Sequence, residues 1–342
     1  MNNKKTILIT GGAGYIGSHT IIEMINDTDY DIISVDNYSN SSEKTFKRIE
    51  QITNRKIKNY VVDLCNINEL KSIFSENNII GIIHFAAFKS VPESVADPIL
   101  YYHNNISSLN NILICLKQFE INHFIFSSSC SVYGNIKELP VKETTPLEKA
   151  ESPYGYTKQI GEQIIADFVK VNKSIHSVVL RYFNPVGAHP SGLIGESPVN
   201  KPNNLVPVIT QTAGGKIKEL IVYGSDYDTR DGTCIRDYVH VSDIATAHIK
   251  ALNYLMENKN DGNYSIFNLG TGNGVSVLEA IQSFEKISKK KLNYRIGPRR
   301  DGDVAAIYSD NTKVSKTLHW KNTFDIDAMM ETAWKWELNS DK

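Results

Sequence analysis

Cysteine is scarce in this chain of 342 residues: Cys65, Cys115, Cys130 and Cys234 are scattered, with no Cys-x-x-Cys pair and no zinc-like spacing. That excludes a disulfide framework and points to free thiols in a reducing compartment. Long apolar runs are missing too; none approaches the roughly 20 residues that cross a bilayer. No apolar signal segment separates Met1–Lys5 from the strand-like Thr6–Thr10, so a cytoplasmic protein without a membrane partner is expected. Excess charge is equally absent. The 37 Lys and Arg nearly balance 38 Asp and Glu, which removes the electrostatic reason to expect nucleic acid. His84 has no histidine or carboxylate at ligand spacing, so no metal is expected.

What is present is an alternation. Short β-branched runs (Ile7–Thr10, Asp31–Val35, Ile57–Val62, Ile79–His84, His123–Ser127, His176–Tyr182) are separated by helix-like stretches such as Tyr15–Ile25, Leu109–Phe119 and Lys158–Val169. This order predicts an α/β fold: a Rossmann-type, doubly wound parallel sheet. After Arg181, prolines and glycines crowd the interval Pro185–Pro207, and the later signals are shorter. A smaller mixed α/β lobe is expected there. The division is residues 1–183 for nucleotide binding and catalysis and 184–342 mainly for the substrate, with some segments able to return to the first domain.

Gly11-Gly12-Ala13-Gly14-Tyr15-Ile16-Gly17 follows the first strand and opens the first helix. Such glycines allow a tight turn in which backbone N–H groups approach a pyrophosphate at the helix N-terminus. Asp36 closes the second strand 19 residues after Gly17, where a carboxylate can accept from ribose hydroxyls. No basic residue follows until Lys44, which favours NAD over NADP. Asp63 is expected to end the third strand and face the adenine. Further on, Tyr154 and Lys158 stand one helical turn apart. A free tyrosine titrates near roughly 10, and a neighbouring ammonium lowers that value. Ser129, at the end of the fifth strand run, can hold a substrate hydroxyl beside them, although strand-end capping explains a serine equally well.

Ser129, Tyr154 and Lys158 behind a dinucleotide fingerprint resemble the short-chain dehydrogenases/reductases. The blocks Thr10–Thr20, His84-Phe85-Ala86, Phe124–Gly134, Ser152–Lys158, Arg181–Gly192, Arg236–His240 and Pro298–Asp303 are similar to those of the UDP-glucose 4-epimerase family within the extended branch. The resemblance implies reversible C4 epimerisation of UDP-galactose and UDP-glucose with NAD. Tyr154 would exchange the 4-hydroxyl proton, aided by Lys158 and Ser129, while NAD takes and returns the hydride. It implies a cofactor set of Gly11, Gly14, Tyr15, Ile16, Gly17, Asp36, Asn37, Asp63, Leu64, Phe85, Ala86, Lys89, Asn104, Ser129, Tyr154, Lys158 and Phe183. The UDP-sugar set is Ser129, Tyr154, Asn184, Asn204, Leu205, Arg236, Arg300 and Asp303. A homodimer through Asn104–Phe119 and Tyr154–Val169 is also implied.

Two rival functions turn on particular residues. A 4,6-dehydratase needs an acidic pair after the serine, where this chain has Cys130 and Ser131. A non-catalytic NAD-sensing regulator is expected to have lost one of Ser129, Tyr154 and Lys158. Substrate breadth hangs on Ile307, where the glucose/galactose-restricted form carries tyrosine. A shorter side chain there suggests acceptance of UDP-N-acetylglucosamine and UDP-N-acetylgalactosamine; packing at the lobe interface is the equally weighted alternative.

Overall fold

Residues 5–197, 202–300 and 303–340 are described by the computed structural model; Asp301 and Gly302 of the Pro298–Asp303 motif lie outside the described residues. Every residue of β1 (Thr6–Thr10) is buried. Strands that read as continuous apolar runs belong to a parallel sheet covered on both faces. The chain continues through α1 (Tyr15–Asp27), β2 (Asp31–Val35), α2 (Lys44–Thr53), β3 (Lys58–Tyr60), α3 (Ile67–Glu76), β4 (Ile79–His84), α4 (Val91–Ala96), α5 (Pro98–Gln118), β5 (His123–Ser129), α6 (Pro153–Val171) and β6 (His176–Tyr182). Then come β7 (Asn184–Val186), α7 (Leu205–Ala213), β8 (Leu220–Tyr223), β9 (Ile235–His240), α8 (Val241–Met256), β10 (Tyr264–Leu269), β11 (Gly274–Ser276) and α9 (Val277–Ser288). Last are β12 (Tyr294–Gly297), β13 (Ala306–Ile307), α10 (Thr312–Thr317) and α11 (Ile326–Asn339).

The main sheet has the order β10-β6-β5-β4-β1-β2-β3, with every pairing parallel. The chain winds outward from β1 to β3 and then crosses back to β4. That reversal opens a crevice beyond the carboxyl ends of β1 and β4. One core fills each face: Ile7, Ile9, Ile83 and Leu252 on one side, Leu8, Ile82, Phe124 and Val179 on the other. The sheet is not confined to residues 1–183, because β10 pairs with β6 and α8 packs on α1. A small sheet of β11, β9 and β13, joined by β7, and the pair β12–β8 form the other lobe around Ile209, Phe284 and Met330.

Two elements differ from the periodicity reading, each for a local reason. α6 starts at Pro153 instead of Lys158, since the Ser152 hydroxyl accepts from Gly155 N–H at 3.2 Å and Pro153 takes the first helical position. β3 ends at Tyr60, so Asp63 lies in the following loop, where it accepts from Cys65 N–H at 2.8 Å. Below the catalytic end of α6, Glu162 is buried between β5 and β6. It accepts from Arg181 Nε at 2.9 Å and from the Ser128 hydroxyl at 2.5 Å. Breaking a buried pair of this kind typically costs about 3–5 kcal/mol, so it anchors the helix on the two strands.

Candidate active site

The glycine turn lies in the crevice. Gly11 has φ +71°, and a Cβ there would meet Ala86 N at 2.8 Å, so the turn after β1 and the segment after β4 are in contact. Gly17 presses against the Gly11 carbonyl, and Gly14 caps the start of α1. Tyr15 donates to the Gly187 carbonyl at 2.6 Å, and Ile16 packs on the core. At the end of β2 the Asp36 carboxylate accepts from Ala13 N–H at 2.9 Å, Tyr38 N–H at 2.9 Å and the Ser41 hydroxyl at 2.7 Å. Asn37 is exposed beside it. The side chains of Leu64 and Phe183 are buried in the two cores. Phe85 rests on His248, with ring centres 4.6 Å apart. Asn104 donates to Asn105 Oδ1 at 2.9 Å. His84 is a strand-end histidine bonded to Thr10 Oγ1 at 2.8 Å, and burial lowers it to about 3. No group of three His, Cys, Asp or Glu side chains able to hold a metal occurs among the described residues.

Ser129, Tyr154 and Lys158 come together at the carboxyl end of β5. Ser129 caps the short 3-10 turn Cys130–Tyr133, accepting from Ser131 N–H at 3.2 Å, so it has the capping role as well. Its hydroxyl also lies 2.5 Å from that of Ser131 and is close enough to the Tyr154 phenol to lower its pKa. Lys158 Nζ donates to the Ser127 carbonyl at 2.7 Å and stands 6.0 Å from the centre of the Tyr154 ring. Burial works against the lowering expected from the neighbouring lysine. Burial pushes Tyr154 up to about 12, with the Ser129 hydroxyl pulling the other way. Burial brings Lys158 down to about 8 against the pull of Glu162. Desolvation is the largest influence on both groups, and the ammonium spends one hydrogen bond on the Ser127 carbonyl.

Across the crevice, Arg236 and Arg300 converge on Asp303, whose Oδ1 is 3.5 Å from Arg236 Nη2 and 2.9 Å from Arg300 Nη2. Arg236 Nη1 is fixed by the carbonyls of Ile235 and Val304. Its charge reaches Cys130, the neighbour of Ser129; even so, burial drives that thiol up to about 12. Asn184 begins β7, and Asn204 caps α7 ahead of Leu205. Ile307 is buried in the core that joins the lobes, beside Arg236 in the β13–β9 register.

Sequence reading missed two residues here. Tyr223 closes β8 half-exposed, with the Arg300 guanidinium 5.5 Å from its ring; nothing in a short Leu-Ile-Val-Tyr strand flags it. Glu196 pairs with Lys89 at 3.0 Å. It is the only acidic residue between 184 and 204, a signal that a loop reading passes over.

The family profile described as GDP-mannose 4,6 dehydratase matches residues 8–333. The UDP-glucose 4-epimerase of Drosophila melanogaster is 47% identical over 338 residues, covering 97% of this chain and 96% of that protein. The crystal structure of UDP-glucose 4-epimerase from Bifidobacterium longum in complex with NAD+ and UDP is 46% identical and superposes with a TM-score of 0.93, covering 98% of this chain and 99% of that one. The UDP-Glc/GlcNAc 4-epimerase from Campylobacter jejuni is 37% identical, with a TM-score of 0.84 over 98% of this chain and 99% of that one. These relatives are enzymes by name, and they lend no support to a non-catalytic NAD-sensing role. With such likeness running over nearly its full length, the chain belongs to the UDP-glucose 4-epimerase family of the extended short-chain dehydrogenases/reductases.

Proposed function

We propose that this protein interconverts UDP-galactose and UDP-glucose by epimerisation at C4, using a tightly held NAD. The observation that carries this is the meeting of Tyr154, Ser129 and Lys158 at the mouth of the glycine-lined crevice, facing the Arg236–Arg300–Asp303 cluster. The crevice fits a dinucleotide, since a Cβ at Gly11 or Gly17 would collide with backbone. Asp36, with no basic residue before Lys44, suits a plain ribose. NAD, when bound, supplies a hydride acceptor and donor at the sugar's C4. Tyr154 takes the 4-hydroxyl proton as the C4 hydride leaves, and returns it to the 4-keto oxygen once the sugar has turned its other face to the hydride donor. Ser129 orients that hydroxyl, and Lys158 has two N–H bonds left beyond the one on Ser127 to hold a ribose hydroxyl and support the phenolate. Arg236 and Arg300 are suited to grip a pyrophosphate that stays fixed while the sugar turns, and Tyr223 to cover the base. Dehydration is disfavoured, whatever the family profile is called, because Cys130 and Ser131 stand where an acidic pair is needed.

Incubating the purified protein with UDP-galactose, without added NAD, is expected to yield UDP-glucose. A UDP-4-keto-6-deoxy product would establish dehydration instead. UDP-N-acetylglucosamine should be offered in parallel, because Ile307 leaves more room beside Arg236 than a tyrosine would; no turnover assigns Ile307 to packing alone. For assembly, a homodimer is supported by Ile99 and Ile114, exposed on α5 at 72% and 47%, and by a surface hollow lined by Leu113, Ile114, Ile164 and Phe168 on α5 and α6. A monomer mass in equilibrium sedimentation would overturn it. The four unpaired cysteines favour the cytoplasm.

A further inference from the structure

Glu196 stands between two donors from opposite sides of the site. Its Oε1 accepts from Lys89 Nζ at 3.0 Å and from Asn204 Nδ2 at 2.9 Å. Lys89 follows β4 on the nucleotide side, and its ammonium also lies 5.8 Å from the centre of the Tyr15 ring at the start of α1. Asn204 is the cap residue of α7 on the other side, yet its side chain makes no capping bond and turns to Glu196 instead. The backbone of Glu196 is pinned as well: Trp336 Nε1, from α11, donates to its carbonyl at 2.9 Å. The carboxylate side chain is 12% exposed, whereas Lys89 is 48% exposed.

An ion pair with both partners in water contributes little and orients nothing. A shielded carboxylate with two donors on one oxygen is different, because charge-assisted bonds fix the direction of both. A carboxylate only accepts, so it holds the nitrogen end of the Asn204 amide. Each donor keeps hydrogens for a second acceptor: two on the Lys89 ammonium and one on Asn204. We propose that Glu196 is a positioning residue that couples the two halves of the site, presenting Lys89 and Asn204 together to the sugar nucleotide. The identity of that ligand rests on the epimerase reading above.

The test uses holoenzyme with its retained NAD, titrated with UDP by calorimetry. Glu196→Ala is expected to raise the UDP Kd and the KM for UDP-galactose about tenfold, the loss of one charge-assisted hydrogen bond. Its kcat should stay within about twofold, and the NAD released on denaturation should match wild type. On a background that lacks both donors, Lys89→Ala with Asn204→Ala, Glu196→Ala should add less than about twofold, since both contacts it orients are already gone. An unchanged UDP Kd in Glu196→Ala overturns the proposal, as does the same tenfold loss on the background that lacks both donors. If Glu196→Ala lacks a cooperative melt, Glu196→Gln decides. It keeps the volume and an oxygen for Asn204 but not the charge on Lys89, and an unchanged Kd there is equally fatal. Wild-type holoenzyme that fails to bind UDP sinks the epimerase reading itself, a result distinguishable from failure of the Glu196 variants alone.

Discussion

Tyr154→Phe is expected to lower kcat by about 10³-fold or more at pH 7, below the value of about 8 at which Lys158 gives up its proton, with NAD content and UDP affinity unchanged. The reason is the lack of a substitute. Ser129 is committed to Ser131 and to the phenol, Lys158 to the Ser127 carbonyl, and the Cys130 thiol is driven up to about 12 by burial. None of the three can carry the C4 hydroxyl proton at neutral pH. The substitution removes one oxygen and keeps the ring, so the packing around α6 stays. Equal falls in kcat and kcat/KM are the kinetic sign of a group that acts only in the transition state. UDP titration and NAD released on denaturation supply readouts independent of turnover. A kcat within tenfold of wild type would remove Tyr154 from the chemistry.

The parts of this site that share a local sequence signature were legible before any coordinates. The glycine turn, Asp36 and the Tyr154–Lys158 spacing each lie within one loop or one helical turn, and a short range of chain sets their geometry. The sheet was legible for a related reason: strands buried on both faces leave nearly unbroken β-branched runs, as in Thr6–Thr10 and Ile79–His84. Boundaries set by single caps were harder to read. Ser152-Pro153 is a start signal, but Pro153 and Gly155 look like breakers until the Ser152 hydroxyl is seen on Gly155 N–H.

Long-range meetings were not legible. Glu196 reaches Lys89 across 107 residues, and Arg181 on β6 closes on Glu162 of α6 and on Tyr133 in the turn after β5. No periodicity encodes such contacts. The electrostatic balance was also hidden, because charge spacing along a helix carries no measure of desolvation. Tyr154 and Lys158 have the predicted spacing, yet burial of each decides where it titrates. Sequence proximity read the partners correctly and the sign of the Tyr154 shift incorrectly.

That correction sharpens what Lys158→Met should do. In the wild type, the ammonium beside the Tyr154 ring favours the phenolate over the phenol. Methionine keeps the stem and removes the charge. The phenol then stands higher, so less phenolate exists at neutral pH, and kcat at pH 7 is expected to fall about 10²-fold. The pH profiles should separate the two enzymes. The wild-type rate should fall as pH rises through about 8, where the buried lysine gives up its proton and the phenolate loses its nearest cation. The variant has no such group, so its rate should climb with pH, close to tenfold per unit and without a plateau at the highest pH assayed, because the buried Tyr154 phenol, at about 12 in the wild type, stands higher without the ammonium. A variant profile parallel to wild type would show that Lys158 acts only by holding the ribose. A profile that rises where the wild type falls would show that its charge sets the working state of Tyr154.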